Sequence, residues 1–238
     1  MLRRALIAIA AVIGIAVTVS LGFWQWGRGQ QRTAAHQAVE AQAHAATVGA
    51  RELLAARDDD TSLLHRPVVL RGTWLPERVV YLDNRQMNGV PGFYVVMPLR
   101  IEGSQAVILV QRGWVQRDFE RRERLPGVIT PSGTVDIEGR LAPSPAKLYA
   151  FSKEEHGTIR QNLDVAAFRA ETGLPLLPWS VQQAGPPSEG LRREWPQAGS
   201  GAEKNFGYAF QWWAMAALIA ILYVWYQLVV PRRQARRV

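Results

Sequence analysis

The chain has 238 residues and a formal net charge of +8, but Arg3, Arg4, Arg232, Arg233, Arg236 and Arg237 carry six of those charges in tails without an acidic residue. The rest holds only 8 − 6 = +2, so the basicity marks the chain ends and gives no ground for a nucleic-acid partner. Cysteine is absent, which excludes disulfides, thiolate metal sites, CxxC redox chemistry and a cysteine nucleophile.

A basic tip, residues 1–4, precedes a first expected membrane span at residues 5–26, whose apolar run through Trp24 is interrupted only by Gly, Ser and Thr. A cleaved signal shares that pattern, but the nearest good Ala-x-Ala, Ala41-Gln42-Ala43, lies too far beyond the run, so an uncleaved anchor is expected. Residues 27–60 are rich in Ala, Gln and Arg without proline and predict a helical stem that Asp58, Asp59, Asp60 and Thr61 stop. His36 and His44 fall on one face of that stem but lack further metal ligands, which reads as helix surface.

Beyond Leu64 the pattern turns to short β-rich runs between Gly and Pro. Residues 67–74 and 78–82 are expected to pair through a turn at Leu75-Pro76-Glu77, residues 83–92 to form a polar loop, and residues 93–99 and 106–111 to form a hairpin across Glu102-Gly103-Ser104. The charged stretch 117–124 reads as a solvated loop. Residues 134–141 alternate as a half-buried strand does, and Ile137-Glu138-Gly139-Arg140-Leu141 echoes Leu70-Arg71-Gly72-Thr73-Trp74. Residues 164–172 predict a helix with Asp164 as cap and Gly173 as stop, residues 179–183 a strand, and residues 185–204 a linker back to the bilayer with Trp195-Pro196 near its surface.

Residues 205–230 contain no Asp, Glu, Lys or Arg and exceed the roughly 20 residues that cross a hydrocarbon core, so they predict a second span, followed by the basic tail 231–238. Basic residues are retained in the cytoplasm, so both termini are expected there and residues 27–204 on the other side. Trp24, Trp26, Tyr208, Trp212 and Trp213 would mark that outer surface. The fold class expected is an α+β membrane protein, two transmembrane helices flanking a mostly antiparallel sheet or small barrel with a helical flank.

No phosphate loop, dinucleotide fingerprint, HExxH or haem-attachment CxxCH occurs. His65 and His156 are the histidines of the β-rich part, and neither has a Ser or Asp spaced for a triad. A hydrolase reading would rest on turnover that depends on His156. The one dense cluster is Asp83-Asn84-Arg85 with Gln111-Arg112-Gly113-Trp114, where a strand could present a guanidinium fork beside an indole to a carboxylate or partner protein; an internal Arg to Asp pair tying two strand ends is the alternative.

Six stretches in order resemble the surfeit locus protein 1 family of cytochrome oxidase assembly factors. They are Leu21-Gly22-Phe23-Trp24-Gln25-Trp26-Gly27-Arg28, Arg66-Pro67-Val68 with Arg71-Gly72, Leu82-Asp83-Asn84-Arg85, residues 92–99, Val110-Gln111-Arg112-Gly113-Trp114-Val115, and Gly207-Tyr208-Ala209-Phe210-Gln211-Trp212. The resemblance implies no catalytic turnover. It implies a non-enzymatic assembly factor in a bacterial inner membrane, aiding haem a insertion into, or retention by, the largest oxidase subunit. Its implied partners are that subunit, the haem a synthesis machinery and the bilayer. It also implies a membrane-surface cofactor site at Trp24, Gln25, Arg28, Tyr208, Gln211 and Trp212, with Gln25 and Gln211 at similar depth, and a functional or folding-critical face at Asn84, Arg85, Arg112, Gly113 and Trp114. Many family members carry a His proposed to ligate haem where this chain has Asn205, and an amide is a poor iron ligand beside imidazole. A scaffold role does not need that ligand. The competing function is a membrane-tethered binding module unrelated to haem.

Overall fold

The computed structural model describes residues 2–118, 120–121, 125–145, 157–196 and 199–235; His156 lies outside them. The chain forms two compact units, residues 39–197 and residues 1–38 with 198–238.

In the first unit, seven strands among the described residues make one sheet, in the order β1 (Pro67–Trp74), β5 (Thr134–Ala142), β7 (Leu176–Gln183), β4 (Val107–Gln116), β3 (Val90–Ile101), β2 (Val80–Met87) and β6 (Ile159–Arg160). Pairing is antiparallel except for β4 with β7 and β2 with β6. β1 alternates buried and exposed side chains, as a strand with one wet face should, whereas residues 107–114 of β4 are buried without alternation because that strand is central. The sheet curls until β1 also pairs with β3, yet β2 and β6 extend past that contact, so it is a curled sheet and not a true barrel.

β1 and β2 are not partners. A 3₁₀ turn at Pro76–Arg78 separates them, and each pairs instead with its own part of β3, β1 with residues 99–101 and β2 with residues 90–96. The proline-led turn spaces the two runs too widely for a tight hairpin, and the twelve-residue β3 has length for two neighbours. Residues 83–92 are likewise strand rather than loop. β2 and β3 close through Asn88 and Gly89, whose φ values of 52° and 78° give the paired left-handed turn that suits strand twist. Asn84, at φ 57°, sits in the bulge that shifts the β2 register between Leu82 and Arg85. The Glu102-Gly103-Ser104 hairpin joins β3 to β4 as expected.

Gly72 and Gly139, the matching glycines of the echoed segments, share a role: a Cβ on either would run into the carbonyl oxygen of an adjacent strand, at Arg100 and Gln182 respectively. The close approach helps the sheet curl. The main core joins Leu53 of helix α2 (Ala50–Ala55) to Val68, Leu70, Leu99, Val110 and Leu141. Helix α3 (Val165–Thr172) begins and ends as its sequence requires. Asp164 Oδ1 accepts from the Ala166 and Ala167 amides at 3.0 and 3.1 Å, and Gly173 closes it at φ 68°.

The expected linker is in part a docked strap. Leu191 is buried, Arg192 exchanges backbone hydrogen bonds with Trp114 (2.7 and 2.9 Å), and the Trp195 ring packs on Tyr94 while its Nε1 donates to the Gln183 carbonyl at 2.8 Å.

The second unit pairs helix α1 (Leu2–Ala43) with helix α4 (Ala202–Val224), which runs through a π turn at Trp225–Val229 into α5 (Val230–Ala235). Both helices are long and apolar enough to cross a membrane. The helix that continues the first apolar run ends at Ala43, well short of Asp58. Trp213 fills the space over Gly22, Phe206 that over Gly29, and Ile219 meets Gly14, so the helices run antiparallel. Gly22 and Gly29 are seven residues apart, as are Phe206 and Trp213 (29 − 22 = 213 − 206 = 7), which seats aromatic knobs in glycine holes. Phe23, Trp26, Phe206 and Trp213 stack edgewise or tilted at 4.7–5.8 Å around these seats.

Candidate functional site: an amide seam and a buried arginine

The two groups of expected site residues fall in different units. In the helix pair, Asn205 Nδ2 donates to Gln25 Oε1 at 2.7 Å. The helices pack near the expected position, but the residue facing Gln25 is Asn205. Gln211 lies six residues after Asn205, which turns it about 120° round the helix, and it is exposed. Trp24 is exposed as well.

The others share one flank. Gln25 and Arg28 stand three apart on α1, as do Asn205 and Tyr208 on α4, and Trp212 completes the α4 stripe four residues later. The Gln25–Asn205 bond binds the two stripes into a seam. Asn205 Oδ1 and Trp213 Nε1 are buried there without a hydrogen-bond partner among the described residues.

An iron ligand is not what the amide pair offers. The seam's inward polar atoms are two amides, one engaged by the other, and an indole N–H that can only donate, and His36 lies 36 − 25 = 11 residues further along α1, about 16 Å at 1.5 Å per residue. No group of three metal-ligating side chains occurs among the described residues. The Asn205 position therefore does not fit axial ligation of haem iron.

The second group is internal. Arg112 is fully buried, and its guanidinium donates to Thr130 Oγ1 (2.8 Å), the Ile129 carbonyl (2.9 Å) and Glu189 Oε2 (2.7 Å), with Cζ 4.6 Å from the centre of the Trp74 ring. The fork is not presented to a partner, because β4 is central and the strap covers it with its own carboxylate. Trp114 Nε1 donates to the Arg85 carbonyl at 2.9 Å, and Arg85 Nη2 donates to the Gln161 carbonyl at 2.8 Å. Gly113, at φ 156°, could not carry a Cβ without meeting the Arg192 carbonyl and Leu191. Of this cluster Asn84 is exposed; its neighbour Asp83, midway along β2, pairs with Arg117, just past the end of β4 and outside the cluster.

Sequence reasoning missed Glu189 and Arg193. Arg193 donates to Glu189 at 3.3 Å and to the Arg112 carbonyl at 2.9 Å, and burial pulls its guanidinium below the usual arginine range while Glu189 pushes back. The signal lay in Leu191, an apolar residue alone among turn formers.

The model of the SURF1 family matches residues 12–217, a span that takes in most of both long helices and the whole sheet. SURF1-like proteins of Rickettsia felis and Rickettsia conorii are 25% and 23% identical, over 92% of this chain in each case and 96% and 93% of their own lengths. A third, from Rickettsia bellii, is 23% identical over 94% of this chain and 92% of its own length. On a match of that extent, the chain belongs to the SURF1 family.

Proposed function

We propose that this chain is a membrane-held scaffold for assembly of cytochrome c oxidase, serving haem a insertion into the largest subunit or its retention there, without supplying the iron ligand from the Asn205 position. Membership of the SURF1 family supports the broad role in oxidase assembly and carries the reading. The amide at the Asn205 position shapes the finer part: the chain holds protein partners and need not ligate the iron from that position.

In this reading both helices cross a bacterial inner membrane with the basic tails in the cytoplasm and residues 27–204 in the periplasm. Trp24, Gln25, Arg28, Tyr208, Gln211 and Trp212 then lie at or near the outer membrane surface as the face read by oxidase and haem-synthesis partners. Asn84 is the exposed member of the β cluster available to a partner, while Arg85, Arg112, Gly113 and Trp114 maintain the fold beneath it. The reading involves no catalytic step.

Deleting the gene tests the proposal. Loss of spectroscopic haem a and of oxidase activity is expected, and normal values for both would sink it. Active reporters in one and the same compartment at Val128 and Val238 would remove the topology. The amide pair also favours a second reading, a tethered binding module unrelated to haem, and a pulldown without oxidase subunits or haem a synthesis enzymes would select it.

A further inference from the structure

Arg28 and Arg32 differ from four well-tied arginines of the sheet unit. Arg66, Arg112, Arg160 and Arg193 each meet a carboxylate within 3.3 Å. Arg28 and Arg32 are exposed and meet none among the described residues; Arg32 Nη1 reaches only the Gly201 carbonyl, at 3.4 Å. Glu203 on α4 does not serve them, since it lies two residues before Asn205 and so about 160° away round the helix.

Their placement follows from the seam. Gln25, Arg28 and Arg32 stand at i, i+3 and i+7, as do Asn205, Tyr208 and Trp212, and one hydrogen bond locks the two stripes in register. Because the helices are antiparallel, the α1 stripe leads away from the amide pair to the arginines, about 4.5 and 10 Å along the axis. The α4 stripe leads the other way by the same steps to Tyr208 and Trp212. Arg4 and Gln25 are 21 residues apart, about 31 Å of helix and one hydrocarbon thickness. In the topology proposed above, on which this inference rests, the amide pair falls at the boundary, the two guanidinium groups at phosphate depth and the two rings beside the acyl chains.

We propose that this flank binds one anionic phospholipid in the leaflet opposite the basic tails, with its phosphate between Arg28 and Arg32 and its chains along Tyr208 and Trp212. Paired guanidinium forks suit a phosphate, and aromatic rings below them suit glycerol esters and upper methylenes. The site requires neither haem nor an oxidase partner.

The test uses the full chain from a host that makes no haem a, placed in nanodiscs of phosphatidylcholine doped with phosphatidylglycerol and then released for native mass spectrometry. One retained phosphatidylglycerol per chain is expected. The Arg28→Gln/Arg32→Gln double variant should lower its occupancy about tenfold, each single variant should lower it less, and Arg51→Gln/Arg57→Gln should leave it unchanged. Unchanged helical circular dichroism accompanies a valid comparison, and if the double variant fails to fold the two single variants decide. Equal retention of phosphatidylcholine overturns the proposal, as does full retention in the arginine variants or loss of the lipid to millimolar inorganic phosphate.

Discussion

Asn205 and Gln25, 180 residues apart in the chain, share one hydrogen bond of 2.7 Å that joins α4 to α1. Replacing either with Leu strands the other amide in a buried seam, whereas replacing both removes the need for the bond. A double-mutant cycle on Gln25→Leu and Asn205→Leu should give a coupling of about 0.6 to 1.7 kcal/mol by reversible unfolding in mixed micelles. Additive single effects would show that the bond contributes nothing.

Gly22→Val should part the helices, because a side chain there collides with the Trp213 indole. The chain has no cysteine, so cysteines introduced at positions 25 and 205 report the pairing without background. Oxidative crosslinking should be efficient in the parent and largely lost with Gly22→Val, while Gly27→Val, where a Cβ meets nothing within 4 Å, should keep it.

The buried charges of the sheet unit rank by what each substitution leaves behind. Glu189→Ala leaves Arg112, fully buried, without its carboxylate beside a second guanidinium, and should cost about 3–5 kcal/mol. Arg112→Met leaves Glu189 still paired with Arg193 and partly exposed, so it should cost less. Denaturant unfolding of the two variants checks the order, and a costlier Arg112→Met would contradict it.

Stability should fall on mild acidification through His65. Burial, with Arg140 nearby, lowers its pKa below 6.5, so the unfolded chain binds the proton more readily. Its contribution is present above about pH 6.5 and is lost as pH falls through the lowered value. His65→Asn keeps the left-handed backbone at φ 69°, which Asn tolerates. It should flatten the thermal midpoint between pH 7 and 5 relative to the parent.

Local features were legible in the sequence. The Asp164 cap, the Gly173 stop, the hairpin turn at 102–104 and the strand at 134–142 depend on neighbours a few residues away, and the structure has them all. Partners were harder to read. β1 and β2 look like a hairpin because both are short and apolar, but twelve-residue β3 takes each at a different stretch. The polarity of residues 83–92 disguised a hairpin whose exposed positions are the polar ones. At the seam, Gln25 and Gln211 were expected at similar depth; Asn205 is the residue that meets Gln25, and Gln211 lies six residues further along α4 and about 120° round it, a helical phase that depth alone does not give. Glu189 escaped because a carboxylate in a Pro- and Gly-rich stretch looks solvated until the fold brings it to Arg112.

That late carboxylate also imposes an order on biogenesis. Arg112 is synthesised 77 residues before Glu189, so a nascent chain carries a charged side chain bound for the interior with no counter-ion yet made. The sheet can be sealed only after the strap leaves the ribosome, immediately ahead of the second long apolar helix. Ribosome-bound chains ending before Glu189 should therefore remain protease-sensitive, and those long enough for Arg193 to have emerged from the ribosome should become resistant.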